Sequence, residues 1–263
     1  MRSPLITFYI IYSFILGLCI GSFANVIIDR ITLGKSDIRA HFECSGCSKR
    51  LTLLDLVPVL SYLLLSGRCR HCKTKKSIRY PIVELLTAIL FFGMTWHMPY
   101  LQVIPLLILI FILVCISLID IDTQEIPDSL LIFGGVTGSS WVIIGHILGW
   151  NSPTWQNALL GIAAGALPLI ILDALTLLFL KKDGFGYGDV KLMAVAGIFL
   201  GWQLIFVAYV FAFLSGGIFA TYLIISKKAK RGTYMAFGPF LALGIVLALW
   251  FGYNFTTLAL MII

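Results

Sequence analysis

LQVIPLLILIFILVCISLI, residues 101–119, runs straight into Asp120-Ile-Asp122-Thr-Gln-Glu125-Ile-Pro-Asp128, and this junction decides the fold. A helix needs about 20 apolar residues to cross a ~30 Å hydrocarbon core, where each unpaired backbone group costs several kcal/mol. The run is long enough, and the acids mark where the chain leaves the bilayer. A second acid stands in the same relation to lipid: Asp189, in Gly186-Tyr-Gly-Asp189, opens a later apolar segment.

The rest of the chain agrees with a membrane reading. Of 263 residues, 60% are hydrophobic and only 12% charged, and the mean hydropathy is +1.01. Such values belong to polytopic membrane proteins. Spans are expected near 4–28, 81–98, 101–119, 129–149, 157–180, 189–201, 203–226 and 237–260, which makes an all-α protein with eight transmembrane helices. The first is read as a span because its apolar run is too long for a signal-peptide core and no A-x-A-like site follows. Lys and Arg concentrate between Arg30 and Arg79, at Lys181, Lys182 and Lys191, and from Lys227 to Arg231. Eight spans with the N-terminus outside put these groups on one face, which the bias of basic loops identifies as cytoplasmic. The outer connections near 97–101, 150–156 and 201–203 carry no Lys or Arg. The net charge of +7 therefore points to anionic membrane lipid as a partner and not to nucleic acid.

Residues 29–80 form the one large polar segment. Cys44-Ser-Gly-Cys47 and Cys69-Arg-His-Cys72 are two C-x2-C knuckles separated by 21 residues. Four thiolates so spaced can close a tetrahedral shell around a structural Zn2+, leaving no open position for catalysis. Two disulfides are the alternative, which a reducing cytoplasm disfavours. Between the knuckles, Leu51–Leu65 is apolar but broken by Asp55 and Pro58, so it is expected as an interfacial helix. Cys19 and Cys115 are read as packing residues, and His97 and His146 fall toward the outer face.

Polar groups inside or beside spans are functional candidates. Asn25 lies about one turn inside the first span. Arg79-Tyr-Pro81-Ile-Val-Glu84 opens the second, where a proline and an acid suit a first helical turn and Glu84 could equally be part of a site. Asp173 lies within the fifth span, with structural and functional readings both open.

Asp120 ends the third span and Asp189 begins the sixth, so both emerge on one membrane face. Two adjacent carboxylates sharing a proton can activate water and protonate a peptide carbonyl or leaving amine. Gly186 and Gly188 leave room for a substrate backbone to approach. Asp122 and Glu125 are expected in an exposed turn and Asp128 as the N-cap of the fourth span, which leaves Asp120 as partner to Asp189.

These residues resemble the type IV prepilin leader peptidases, also known as prepilin peptidase/N-methyltransferases, over nearly the whole chain. The resemblance rests on Ile119-Asp120 with Ile126-Pro127-Asp128, on Gly186-Tyr-Gly-Asp189-Val-Lys191, and on Gly21-Ser-Phe with Asn25. It extends to the double C-x2-C loop with Pro58-Val-Leu-Ser61-Tyr and Gly67-Arg-Cys-Arg70, and to Arg79-Tyr-Pro-Ile-Val-Glu84. It implies an enzyme of the inner or cytoplasmic membrane that removes the basic leader of a prepilin or pseudopilin with Asp120 and Asp189. That enzyme then methylates the new N-terminus from S-adenosylmethionine, with Asn25, Arg79 and Glu84 as candidate donor-site residues. The division implied is a methyltransferase-type region over 1–98 and a peptidase domain over 99–263. Rival readings are another GxGD membrane protease without methyl transfer, or a cation-coupled transporter using Asp120, Asp173 and Asp189. Transporters keep such acids near the bilayer midplane, whereas Asp120 and Asp189 stand at its edge.

Overall fold

The computed structural model describes residues 4–32, 47, 57–97, 102–150, 152–181, 186–227 and 235–262. Eight helices follow the apolar runs: α1 (Pro4–Thr32), α2 (Leu60–Leu64), α3 (Arg79–His97), α4 (Ile104–Thr123), α5 (Asp128–Leu148), α6 (Trp155–Leu180), α7 (Tyr187–Ile225) and α8 (Gly238–Ile262). Among the described residues there is no strand, only an isolated antiparallel bridge between Arg68 and Lys75. Five of the helices, α1, α4, α5, α6 and α7, are long and apolar enough to cross a membrane. Each expected span falls on helical chain, the sixth and seventh both on α7.

Exposure is inverted relative to a water-soluble protein. Ile132, Val136, Ile143 and Ile147 of α5 point outward, while Asn25, Glu84, Asp120 and Asp189 are buried. Apolar surface outside and polar groups inside is the arrangement lipid selects. Cys115 is buried as expected, but Cys19 is exposed, so it faces outward from α1 instead of packing.

The chain divides into two compact units, Met1–Cys115 and Ile116–Ile263. In the first, α1 lies directly on α3. Apolar side chains gain little by leaving lipid for one another, so membrane helices associate through close backbone packing over small residues. Gly17 and Gly21 provide that contact. A Cβ on Gly17 would stand 2.6 Å from Ala88 Cα, and one on Gly21 would stand 2.7 Å from Glu84 Cα. Any side chain there would force the helices apart. Hydroxyls complete the seam, with Ser13 Oγ and Thr95 Oγ1 at 2.7 Å.

Two local expectations change. Among the described residues of the 51–65 segment only Leu60–Leu64 is helical, and it buries none of its side chains; residues 51–56 lie outside the described residues. The helix α3 begins at Arg79, two residues before Pro81, so Glu84 sits in its second turn. It is therefore too deep for the dipole role that a first-turn acid would have.

In the second unit α7 packs against α6, α8 and α5. Gly165 of α6 approaches the carbonyl of Met193 and also accepts a hydrogen bond on its own carbonyl from the Tyr209 hydroxyl. A straight helix would separate residues 193 and 209 by about 24 Å. Both reach Gly165, so the chain reverses between them. The reversal is at Gly201, whose φ of 70° and ψ of 177° lie where a side chain is strained. Asn157 of α6 steadies the break: its Oδ1 accepts from the Trp202 N–H at 3.3 Å, satisfying a donor that the interrupted helix leaves without a carbonyl. Next to it, Gly161 and Gly197 meet backbone to backbone. The two legs of α7, residues 187–200 and 202–225, lie where the sixth and seventh spans are expected, while α7 as a whole is one of the five helices long and apolar enough to cross a membrane.

Candidate active site

Two helix termini in the second unit each carry an acid. Asp120 lies in the last turn of α4 and Asp189 in the first turn of α7. Both are buried, at 6% and 9% exposure. By contrast Asp122 and Glu125 are exposed, as their turn position suggested, and Asp173 is half-buried on α6.

The Asp120 carboxylate is held by backbone. Asp120 Oδ2 accepts from the Gly238 N–H at 2.8 Å. Gly238 is the first residue of α8, where amide groups have no intrahelical acceptor, so the carboxylate satisfies a donor and is aimed by it. A Cβ on Gly238 would come within 2.7 Å of the same oxygen, which leaves no room for any other residue. The Asp189 main chain is placed by the helix start, where its N–H donates to the Gly186 carbonyl at 3.0 Å.

The glycines of the Gly186-Tyr-Gly-Asp189 stretch differ in what they do. A Cβ on Gly188 would press to 2.8 Å from Ile126 Cβ, whereas one on Gly186 would find only ordinary contacts, at 3.8 Å from Asp189 Oδ2 and 4.0 Å from the Gly188 nitrogen. The absent side chain of Gly188 lets the start of α7 rest on the Ile126-Pro127-Asp128 turn. Asp128 does not cap α5 by its side chain. The N-cap is Pro127, and the Asp128 carboxylate accepts from Lys191 Nζ at 2.7 Å.

In the first unit, polar groups line one end of the seam between α1 and α3. Glu84, buried at 7% exposure, accepts on Oε2 from the Val59 N–H at 2.8 Å and also from Ser22. Asn25 Nδ2 donates to the Tyr80 carbonyl at 3.2 Å, and the Tyr80 hydroxyl donates to Asp29 Oδ2 at 2.8 Å. Arg79 is half-buried at the head of α3. The structure thus brings Asn25 and Glu84 to a common seam. It adds Ser22, Asp29 and Tyr80, which the sequence reading passed over.

The sulfurs of Cys47, Cys69 and Cys72 lie within 4.8 Å of one another. Tetrahedral ligands at a Zn–S distance of ~2.3 Å stand about 3.8 Å apart, so three donors of a metal shell are gathered. Cys69 is buried, and a tight turn carries it: its N–H donates to the Thr74 carbonyl at 2.9 Å and its carbonyl accepts from the Lys73 N–H at 3.1 Å. Cys44 lies outside the described residues. His71 is exposed and is not in the sulfur cluster.

Comparison with known proteins gives two adjoining family matches. Residues 15–98 match the bacterial peptidase A24 N-terminal domain and residues 107–221 the type IV leader peptidase family. A prepilin leader peptidase/N-methyltransferase of Aeromonas salmonicida is 34% identical over 92% of this chain and 91% of its own length. Those so named in Bacillus subtilis and Pseudomonas aeruginosa are 33% and 30% identical, over 91% and 94% of this chain and 93% and 92% of their own lengths. No solved structure matches the chain.

Proposed function

The chain belongs to the type IV leader peptidase family, and on that premise we propose that it is a bifunctional enzyme of the inner or cytoplasmic membrane. It cleaves the leader of a prepilin or pseudopilin at the cytoplasmic face and methylates the amine so exposed. The observation that carries this reading is the pair of buried carboxyls, Asp120 at the end of α4 and Asp189 at the start of α7, within one compact unit of a multi-pass membrane protein.

The two acids act as one unit holding a single proton. The ionised carboxyl takes a proton from a water molecule as that water attacks the scissile carbonyl. Its protonated partner donates to the carbonyl oxygen, and a proton then passes to the leaving amine. The Gly238 N–H fixes one oxygen of Asp120 throughout, so the dyad is oriented before substrate arrives. Purified enzyme incubated with a detergent-solubilised prepilin should yield a pilin shortened by its leader, and heavier by one methyl group when S-adenosylmethionine is present. An intact prepilin after incubation with folded enzyme would refute the assignment.

Residues 1–98 are the methyltransferase-type region and 99–263 the peptidase domain. In the first of these, Asn25, Asp29 and Glu84 supply an amide and two carboxylates over one stretch of the seam, a set that fits a cationic donor such as S-adenosylmethionine. When bound, that donor supplies an activated methyl group; Asn25, Arg79 and Glu84 would hold it. Glu84→Gln keeps the shape and removes the charge. It should leave leader cleavage intact and lower transfer of labelled methyl at least about tenfold, the kinetic equivalent of ~1.4 kcal/mol. Equal loss of both activities in a folded protein would mean one shared site, and unaltered methylation would remove Glu84 from the donor pocket.

Cys44, Cys47, Cys69 and Cys72 hold a structural Zn2+ that staples the loop. Elemental analysis of the purified protein should find one zinc per chain, and Cys69→Ser should lose it. Methyl transfer and stability should then suffer more than leader cleavage. Absence of stoichiometric metal from active enzyme would contradict this.

A further inference from the structure

We propose that Lys191 and Asp128 are positioning residues for the peptidase reaction: their ion pair closes a short ring of chain that sets how far Asp189 stands from Asp120. The proposal rests on the dyad reading above.

The ring can be followed residue by residue. From Asp120 the chain finishes α4 at Thr123, crosses residues 124–127, and starts α5 at Asp128. The Asp128 carboxylate meets Lys191 Nζ at 2.7 Å, and Lys191 is two residues beyond Asp189 on the first turns of α7. Inside the ring Ile126 rests on Gly188, where even a Cβ would come to 2.8 Å. The ring thus ties the end of α4 that carries Asp120 to the start of α7 that carries Asp189.

Exposure separates this role from a stabilising one. The two side chains are 52% and 64% exposed, and an ion pair so open to solvent adds little to global stability. Reaction geometry is far less tolerant. A displacement of about 1 Å at reacting groups can cost 10²-fold in rate. A weak surface tie can therefore matter little to folding and still show in turnover, by up to about fivefold. The bulk of the contact between Ile126 and Gly188 remains when the ion pair is removed, so the loss should be partial.

The test measures leader cleavage by full-length purified enzyme carrying Lys191→Met, Asp128→Asn, both together, and Lys191→Arg, with Asp189→Asn as control. We expect each neutral variant to lower kcat about three- to fivefold, the most that an exposed ion pair supplies, with KM and thermal midpoint unchanged. The double variant should be no slower than either single, and Lys191→Arg should retain most of the rate. Wild-type kcat in Lys191→Met or Asp128→Asn would overturn the proposal. So would a double variant that loses the product of the two single effects, or a loss matched by a lowered thermal midpoint. An Asp189→Asn control that still cleaves would instead overturn the dyad itself, so the two failures are distinguishable.

Discussion

Asp189→Asn should lower leader cleavage by roughly 10²- to 10⁴-fold, the span that removal of a positioned acid or base commonly costs. The substitution keeps the side chain's shape and its place in the first turn of α7, so insertion and folding should be unaffected. It removes the ability to share a proton with Asp120, and without that neither water activation nor carbonyl protonation has its agent. Asp120→Asn should behave alike. Its remaining oxygen can still accept from Gly238, so loss of rate there would report chemistry and not a lost tether. Asp122→Asn is the internal control: Asp122 is exposed and two residues beyond the buried Asp120, and turnover should stay within a few-fold of wild type by the tolerance of surface positions. Activity lost in Asp122→Asn but kept in Asp120→Asn would reassign the first acid.

Gly238→Ala should be nearly as damaging, although it touches no ionisable group. The added methyl would lie 2.7 Å from Asp120 Oδ2 and 3.2 Å from its Cγ, below contact distance, and the nearest atoms belong to the catalytic carboxylate itself. Either the acid rotates away or the start of α8 retreats, and each breaks the 2.8 Å hydrogen bond. A shift on the order of 1 Å costs about 10²-fold. We therefore expect kcat to fall by that order while the protein purifies as a folded membrane enzyme. Near-normal turnover in Gly238→Ala would show that the Asp120 orientation seen here is not the one used in catalysis.

The two acids were legible in the sequence because burial at a membrane edge is written in composition: long apolar runs abut Asp120 and Asp189, and few charges compete with them. The C-x2-C knuckles were legible through spacing. Gly238 was not. It lies 118 residues from Asp120 along the chain and acts through its amide, a group every residue but proline possesses. The only trace is the Gly238-Pro239 pair at the opening of the last apolar run, which reads as a helix start and says nothing of what the exposed N–H will bind. Asp128 was misread for a related reason. Following Pro127 and preceding an apolar run, it has the local pattern of an N-cap, yet its partner is Lys191, 63 residues away. Glu84 likewise had a local explanation in the helix dipole, but its contacts, Ser22 and Val59, come from other segments. Helix positions fared better. The break at Gly201 fell within the expected connection between two spans, while its stabilisation by Asn157 depended on a neighbouring helix that no local pattern reveals.

The most direct test of the account is a leader-cleavage comparison of Asp120→Asn, Asp189→Asn and the double substitution, all on purified, folded enzyme. Residues that act as one unit are non-additive, because the first removal already abolishes what the second could remove. The predicted result is that the double variant retains the same residual rate as either single, within about threefold. A double variant slower by the product of the two single effects, or a single variant cleaving at near the wild-type rate, would contradict a shared-proton dyad at the ends of α4 and α7.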